Sequence, residues 1–134
     1  MTNNCSKLVM EINQGEDRAF GFTIQTTYCD KNTGQLITDE YDLTGKTIIF
    51  EIKKAPYYSI PPIISKEITE TSDEYEVGNI YNPTGGQFKI QITQEETQFP
   101  PMDYYAIIRV KDQTQEFAIA GEGNKSGIFR ICKQ

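Results

Sequence analysis

The fold is decided by residues 42–54, which read DLTGKTIIFEIKK. After the Gly45 turn, every second residue is large and apolar, namely Ile48, Phe50 and Ile52. Successive side chains of a strand point to opposite faces, so this period of two predicts a strand with one buried face. The stretch is the clearest strand signal in the chain.

The same alternation recurs in both directions from this strand. Further strands are predicted at 8–12, 18–28, 63–69, 88–93, 102–111, 115–120 and 127–132. Turn signals separate these segments every ~8–12 residues, which is typical of a sandwich or barrel. Only residues 93–101 favour a short helical turn, with Thr93 as its cap. We therefore expect an all-β protein, an immunoglobulin-like antiparallel β-sandwich of about eight strands.

Length and charge limit the function further. The 134 residues predict one domain, spanning 1–134. The net charge of −6 argues against binding to nucleic-acid phosphates, which requires a basic patch, and against binding to an anionic membrane surface. No segment approaches the length of a membrane span, and no signal peptide is visible at residues 1–7.

The residues that catalysis commonly uses are missing. The chain has no His, which excludes a Ser-His-Asp or Cys-His arrangement and a Cys/His zinc site. Its three cysteines, Cys5, Cys29 and Cys132, form no CxxC pair and favour free thiols, while a Cys29–Cys132 pairing in oxidising surroundings stays open. The acidic clusters at 39–42 and 73–76 are interpreted as solvated loops rather than calcium sites. We expect a protein that is not an enzyme and holds no cofactor or metal.

The candidate binding residues lie in a proline-flanked loop. Tyr57, Tyr58 and Ile60 stand between Pro56 and Pro61. Tyrosines on a stiff loop give a large contact area at little entropic cost, so the loop is a candidate docking element. The alternative, that the rings fold back over the edge of the core, remains open.

A second tyrosine pair has a structural interpretation. Tyr104 and Tyr105 follow the Pro100-Pro101 turn at the start of a strand. One of the two hydroxyls is expected to bond back to that turn as a tyrosine corner.

The order of these motifs resembles a known family. The matching segments are residues 14–17 (QGED), 42–54 (DLTGKTIIFEIKK), 86–93 (GQFKIQIT), 97–101 (TQFPP) and 104–110 (YYAIIRV). Together they resemble the N-terminal β-sandwich domain of phage baseplate upper proteins and related tail or fibre proteins. The resemblance covers about residues 12 to 111, and the stretch 55–85 is longer than the family pattern.

The resemblance implies a bacteriophage virion structural or adaptor protein of the tail, baseplate, collar or fibre attachment. Its implied partners are other virion structural proteins, in a homo-oligomer or multi-copy assembly put together in the host cytoplasm. It implies no catalytic residues. The alternative from the residues is a carbohydrate- or cell-surface-binding module, because β-sandwiches often bind sugars through exposed aromatic rings.

Overall fold

The computed structural model describes residues 7–55, 57, 59–120 and 126–133. This part of the chain contains eleven strands and one 3₁₀ turn. The strands are β1 (Lys7–Asn13), β2 (Arg18–Thr23), β3 (Gln25–Cys29), β4 (Leu36–Glu40), β5 (Thr47–Lys53), β6 (Ile64–Ile68), β7 (Gly78–Asn82), β8 (Gln87–Ile92), β9 (Asp103–Lys111), β10 (Glu116–Ala120) and β11 (Ser126–Cys132). The 3₁₀ turn is Glu95–Thr97. No helix in the described ranges is long and apolar enough to cross a membrane.

The strands form two facing sheets and a separate hairpin. The large sheet has the order β1-β11-β9-β5-β6, and β10 continues beside β9. The small sheet has the order β2-β8-β7, and β3 pairs with β4 alone. Strand β1 runs parallel to β11, whereas the other pairs are antiparallel. The β2-β8-β7 and β11-β9-β5 orders match the two sheets of an immunoglobulin sandwich.

The all-β sandwich predicted from the sequence is confirmed, but its strand number is higher than eight. The predicted strand 18–28 is divided at Ile24 into β2 and β3. The polar segment 35–42, whose sequence favours a loop or an edge strand, contains β4, and Gly78–Asn82 forms β7 where no strand was predicted. Strand β4 is mostly exposed, and β7 contributes a single apolar residue, Ile80, to the core, so neither shows the apolar alternation by which a strand is recognised.

The core lies between the inner faces of the two sheets. Strand β5 alternates as the sequence predicts, with Ile48, Phe50 and Ile52 fully buried. Across the core, Phe88 belongs to the small sheet and Phe129 to the large one, and both are inaccessible to solvent. Each such side chain contributes about 1.5–3 kcal/mol of burial free energy, so the facing layers supply the main driving force for folding.

A tyrosine corner closes one end of the sandwich. The Tyr104 hydroxyl donates a 2.7 Å hydrogen bond to the carbonyl of Pro100, and the ring is buried at the start of β9. Burial raises the pKa of this hydroxyl above its usual value. Tyr105 points to the opposite face and is exposed. The expected corner is therefore made by the first tyrosine of the pair.

One cation faces the core. Strand β6 places Lys66 on the same side as Ile64 and Ile68, and its side chain is 4% exposed. Its ammonium donates to the backbone carbonyls of Glu76 at 2.7 Å and Gln91 at 2.6 Å. The Glu96 carboxylate lies 2.7 Å away, so the buried charge is paired and hydrogen-bonded as burial requires. Lys66 thereby ties the large sheet to the small one.

The helical turn predicted after β8 is present but is not capped as expected. The residue before it is Gln94, and no side chain caps it. Thr93 takes part through its backbone N–H, which donates to the Glu96 carboxylate at 2.9 Å. The buried Thr97 hydroxyl accepts from the N–H of Gly15 at 2.8 Å, which ties the turn to the β1–β2 connection. This long-range bond cannot be read from local sequence.

The corner gives a direct stability test. Tyr104→Phe removes the hydroxyl and its hydrogen bond to the Pro100 carbonyl, so it should lower the free energy of unfolding by about 1 kcal/mol. Tyr105→Phe is the matched control and should change it by less than about 0.5 kcal/mol, because that ring is exposed. Urea unfolding of both variants measures the difference, and equal effects would contradict the structural role of Tyr104.

Candidate functional site

The most unusual surface feature is the β3–β4 hairpin, which projects from the sandwich without a core of its own. All five residues of β3 are exposed, as are four of the five in β4. Leu36 is 75% exposed and Tyr28 is 50% exposed, although both are large and apolar. An isolated two-stranded hairpin is marginally stable in water, so a surface of this kind is suited to acquiring a partner.

The hairpin is held together by local hydrogen bonds. The Thr27 and Thr38 hydroxyls lie opposite one another at 3.2 Å. At the tip, the Asp30 carboxylate accepts from the N–H of Asn32 at 2.9 Å, and the Asp30 carbonyl accepts from Gly34 at 2.7 Å. Near the base, the Asp39 carboxylate raises the pKa of the Tyr28 hydroxyl, first through its charge and then by a hydrogen bond. We name this segment, residues 25–40, the arm.

The base of the arm is clamped by backbone contacts that require a glycine. Ile24 donates to the carbonyl of Gly86 at 2.9 Å, and Tyr41 donates to the carbonyl of Ile24 at 3.0 Å. Gly86 has φ +68°, and a Cβ built there would lie 2.5 Å from the Ile24 oxygen and 2.7 Å from the Tyr41 oxygen. Only a residue without a side chain fits both the conformation and the space.

The Tyr41 side chain anchors the same end of the arm to the sandwich. Its ring meets Phe117 of β10 edge-on, with 5.9 Å between centroids. The Lys46 ammonium lies 5.3 Å above that ring, which is cation–π geometry. The arm is thus fixed at its base and free along its length.

The predicted tyrosine loop lies elsewhere, over the outer face of the large sheet. Tyr57 is 66% exposed, whereas Ile60 is half-buried and donates its N–H to the Tyr57 carbonyl at 3.1 Å. Tyr58 lies outside the described residues. In the described part of the loop, the Tyr57 ring is exposed and Ile60 lines the groove beside the sheet. Docking through Tyr57, Tyr58 and Ile60 remains a prediction.

A groove separates this loop from β10. Its volume is about 540 Å³, and it is lined by Ile60, Pro61 and Pro62 on one side and Phe117 and Ala118 on the other. Its floor carries the ion pair between Arg109 and Glu51, whose atoms are 2.7 Å apart. The groove is open, and its lining also includes Lys53 and Glu116.

An apolar stripe crosses the same outer face. Val9, Ile128 and Tyr105 are neighbours in register on β1, β11 and β9, and Val9 and Tyr105 are exposed. Next to the stripe, Arg130 bonds Asp103 through two nitrogens, and this bonding holds the pKa of that carboxyl below its usual value. Sequence reasoning assigned alternate residues to faces but did not predict that outward apolar residues of three strands would align.

The acidic clusters have structural partners. Asp42 accepts hydrogen bonds from the hydroxyl and the N–H of Thr44, which lower the pKa of its carboxyl. Asp73 accepts from the N–H of Tyr75, and Glu74 lies 2.9 Å from the Lys89 ammonium. No three His, Cys, Asp or Glu side chains within the described ranges are grouped so that they could hold a metal ion.

Comparison with protein-family models and with curated proteins finds no match for this chain. The functional argument therefore depends on the surfaces described above.

The clamp at the base of the arm can be tested with a matched pair of glycines. Gly86→Ala introduces both backbone strain and a clash, so it should destabilise the protein by about 3 kcal/mol. Gly45→Ala is the control, because Gly45 has φ +73° with nothing within 4 Å of an added Cβ. It should cost only about 1–2 kcal/mol for the left-handed conformation.

Hydrogen exchange locates the effect. The two variants are compared at denaturant concentrations equally far below their own unfolding midpoints. Under these conditions, the backbone amides of the arm and of Tyr41 should exchange faster in Gly86→Ala than in Gly45→Ala. Equal losses of stability and equal exchange in the two variants would show that the Gly86 clamp does not hold the arm.

Proposed function

We propose that this chain is a bacteriophage virion structural or adaptor protein of the tail, baseplate, collar or fibre attachment, and that it acts through protein–protein contacts. The observation that carries the proposal is the arm, a hairpin with nine of its ten strand residues exposed and its base rigidly clamped. In this proposal the protein belongs to the virion, is assembled in the host cytoplasm and contacts other virion structural proteins in multiple copies.

The arm supports assembly because its backbone is available to another strand. A hairpin edge offers free N–H and C=O groups, and strand addition is a common way to bind an extended segment. A partner strand would also give the arm the third strand that hairpins need for independent stability. The arm gains order when it is bound, which is the behaviour expected of an assembly element.

Two other features favour the same function. The apolar stripe of Val9, Ile128 and Tyr105 offers a second contact surface on the large sheet. The exposed Tyr57 belongs to the loop that forms one wall of the groove on the same face. The sequence motifs in order from residue 14 to residue 110 resemble phage attachment domains. A component that joins neighbours needs two surfaces, and the arm and the stripe are separate.

The proposal is tested by composition and by deletion of the arm. Mass spectrometry of gradient-purified phage particles from the source of this chain should detect the protein at a fixed ratio to the major tail proteins. Replacement of residues 25–40 by a two-residue turn should preserve the sandwich, because the N–H of Tyr41 already lies 3.0 Å from the Ile24 carbonyl. The shortened protein should fold but should be lost from particles.

Tyr75→Ser is the control for this experiment, because it changes an equally exposed side chain on the small-sheet side and leaves the arm intact. Particles should retain that variant. Absence of the wild-type chain from particles would contradict the virion assignment, and normal incorporation of the shortened chain would contradict the role of the arm.

A carbohydrate-binding module is the second candidate, and one cluster favours it. Tyr75 is 77% exposed and Tyr81 is 52% exposed, and both lie near the Lys89–Glu74 ion pair. The hydrogen bond to Glu74 raises the pKa of Lys89, and the charges of the two tyrosines add to this shift. Aromatic rings beside a donor and an acceptor are the groups that a sugar ring contacts.

A glycan array distinguishes this second candidate. A saturable signal that Tyr75→Ala with Tyr81→Ala abolishes, and that Tyr57→Ala leaves unchanged, would support sugar binding on the small sheet. Loss of the signal in Tyr57→Ala would place the sugar at the proline-flanked loop instead. An array without any saturable signal would contradict the carbohydrate candidate.

A further inference from the structure

The two outer edges of the arm can be assigned from its hydrogen bonds. In an antiparallel pair, residues alternate between bonding the partner strand and bonding outward. Tyr41 bonds Ile24 and Asp30 bonds Gln35 across the arm, which fixes the alternation. The even-numbered residues of β3 therefore bond β4. The backbone N–H and C=O groups of Gln25, Thr27 and Cys29 point away from it, and no strand of the described residues pairs with them.

The two edges differ in charge. Residues 19–29, which include all of β3, contain no charged residue and no proline. Strand β4 carries Asp39 and Glu40, both of which are exposed. Natural sheets protect free edges with charges or prolines, and a long uncharged edge is a template for pairing. The charges on β4 therefore disfavour pairing of its edge with β4 of a second chain, whereas the edge of β3 carries no charge that would oppose such pairing.

We propose that β3 pairs antiparallel with β3 of a second copy of this chain, with the two-fold axis at Thr27. The two arms then form one continuous four-stranded sheet in the order β4-β3-β3-β4. This inference rests on the proposed assembly function and names the partner of the arm.

The register follows from the outward-facing groups. Thr27 faces the partner's Thr27, and Gln25 faces the partner's Cys29 on each side of the axis. These three residue pairs exchange roughly six backbone hydrogen bonds. A shift by two residues in either direction leaves one outward-facing residue of each copy unpaired, so the register centred on Thr27 uses the edge most fully.

The side chains suit a symmetric interface. Thr26 comes opposite the partner's Tyr28, and threonine with an aromatic ring is a favourable cross-strand pair. The acidic residues of β4 lie one strand further out on both sides, and the Asp39 carboxylate that reaches β3 is hydrogen-bonded to the Tyr28 hydroxyl. Pairing through β4 would instead bring the Asp39 and Glu40 carboxylates of both copies to one seam. A two-fold contact of this kind is the commonest form of homo-oligomer.

Sedimentation of two variants, at the facing residues Thr27 and Thr38 of the arm, tests the proposal. The purified full chain should sediment as a dimer in a reversible, concentration-dependent equilibrium. Thr27→Lys sets two ammonium groups against each other at the axis and should raise the dimer dissociation constant at least about 10-fold.

Thr38→Lys is the matched control. Thr38 faces Thr27 within the arm, and their hydroxyls bond at 3.2 Å, so both variants lose the same contact and gain the same charge. The control should remain a dimer, because residue 38 is one strand away from the axis. A monomeric wild-type chain, or a dimer equally weakened by both substitutions, would overturn the proposal.

Cross-linking tests the register independently of affinity. With Cys5, Cys29 and Cys132 replaced by serine, Thr27→Cys should form a disulfide-linked dimer under mild oxidation, because residues facing across the axis lie about 5.5 Å apart between Cα atoms. Thr38→Cys in the same background should not. The reverse result would show that the copies pair through β4 and would overturn the assignment of β3.

These outcomes are separable from those for the virion proposal. A chain that dimerises but is absent from phage particles would support the β3 pairing and contradict the virion role. A monomeric chain that is present in particles would support the virion role and contradict the self-pairing of β3.

Discussion

The structure depends on the contact between two apolar sheet faces, with Phe50 and Phe129 on the large sheet and Phe88 on the small one. Every strand of the sandwich has to present one face to this contact, which fixes its register and sends the alternate residues outward. The tyrosine corner and Lys66 then work at the margins of the core, where they satisfy polar groups that packing has removed from water. The surfaces available for function are those that this single contact leaves over.

Prediction from sequence succeeded where apolar alternation is strong. Strands β5, β8 and β9 were recognised because each has apolar residues at a period of two in a segment bounded by turns. Ile48 and Phe50 begin this series in β5, and Phe88 begins it in β8. The same reasoning expected at most an edge strand at β4, because a strand exposed on both faces has no apolar period. The alternation of β6 places Lys66 on one face with Ile64 and Ile68, but the carbonyls that satisfy its charge come from segments 10 and 25 residues away.

The candidate site was harder to predict than the fold. Composition drew attention to Tyr57, whose exposure agrees with a contact role, but the arm has ordinary polar composition and gave no local signal. The importance of Gly86 depends on two carbonyl oxygens 45 and 62 residues earlier in the chain, at Tyr41 and Ile24. Such a constraint exists only in three dimensions, so a glycine in a turn motif could not be distinguished from any other turn glycine.

The parallel pairing of β1 with β11 has a mechanical consequence. Seven residue pairs join the first described strand to the last, from Lys7 with Ser126 to Asn13 with Cys132. Opposed tension on the N-terminal end of β1 and the C-terminal end of β11 would pull these strands along their length in opposite directions. All the bonds of the pair would then bear the load together in shear instead of opening one after another. Forced unfolding is governed by the rate at which such a barrier is crossed, so this pairing geometry should slow unfolding under a pull applied along the chain.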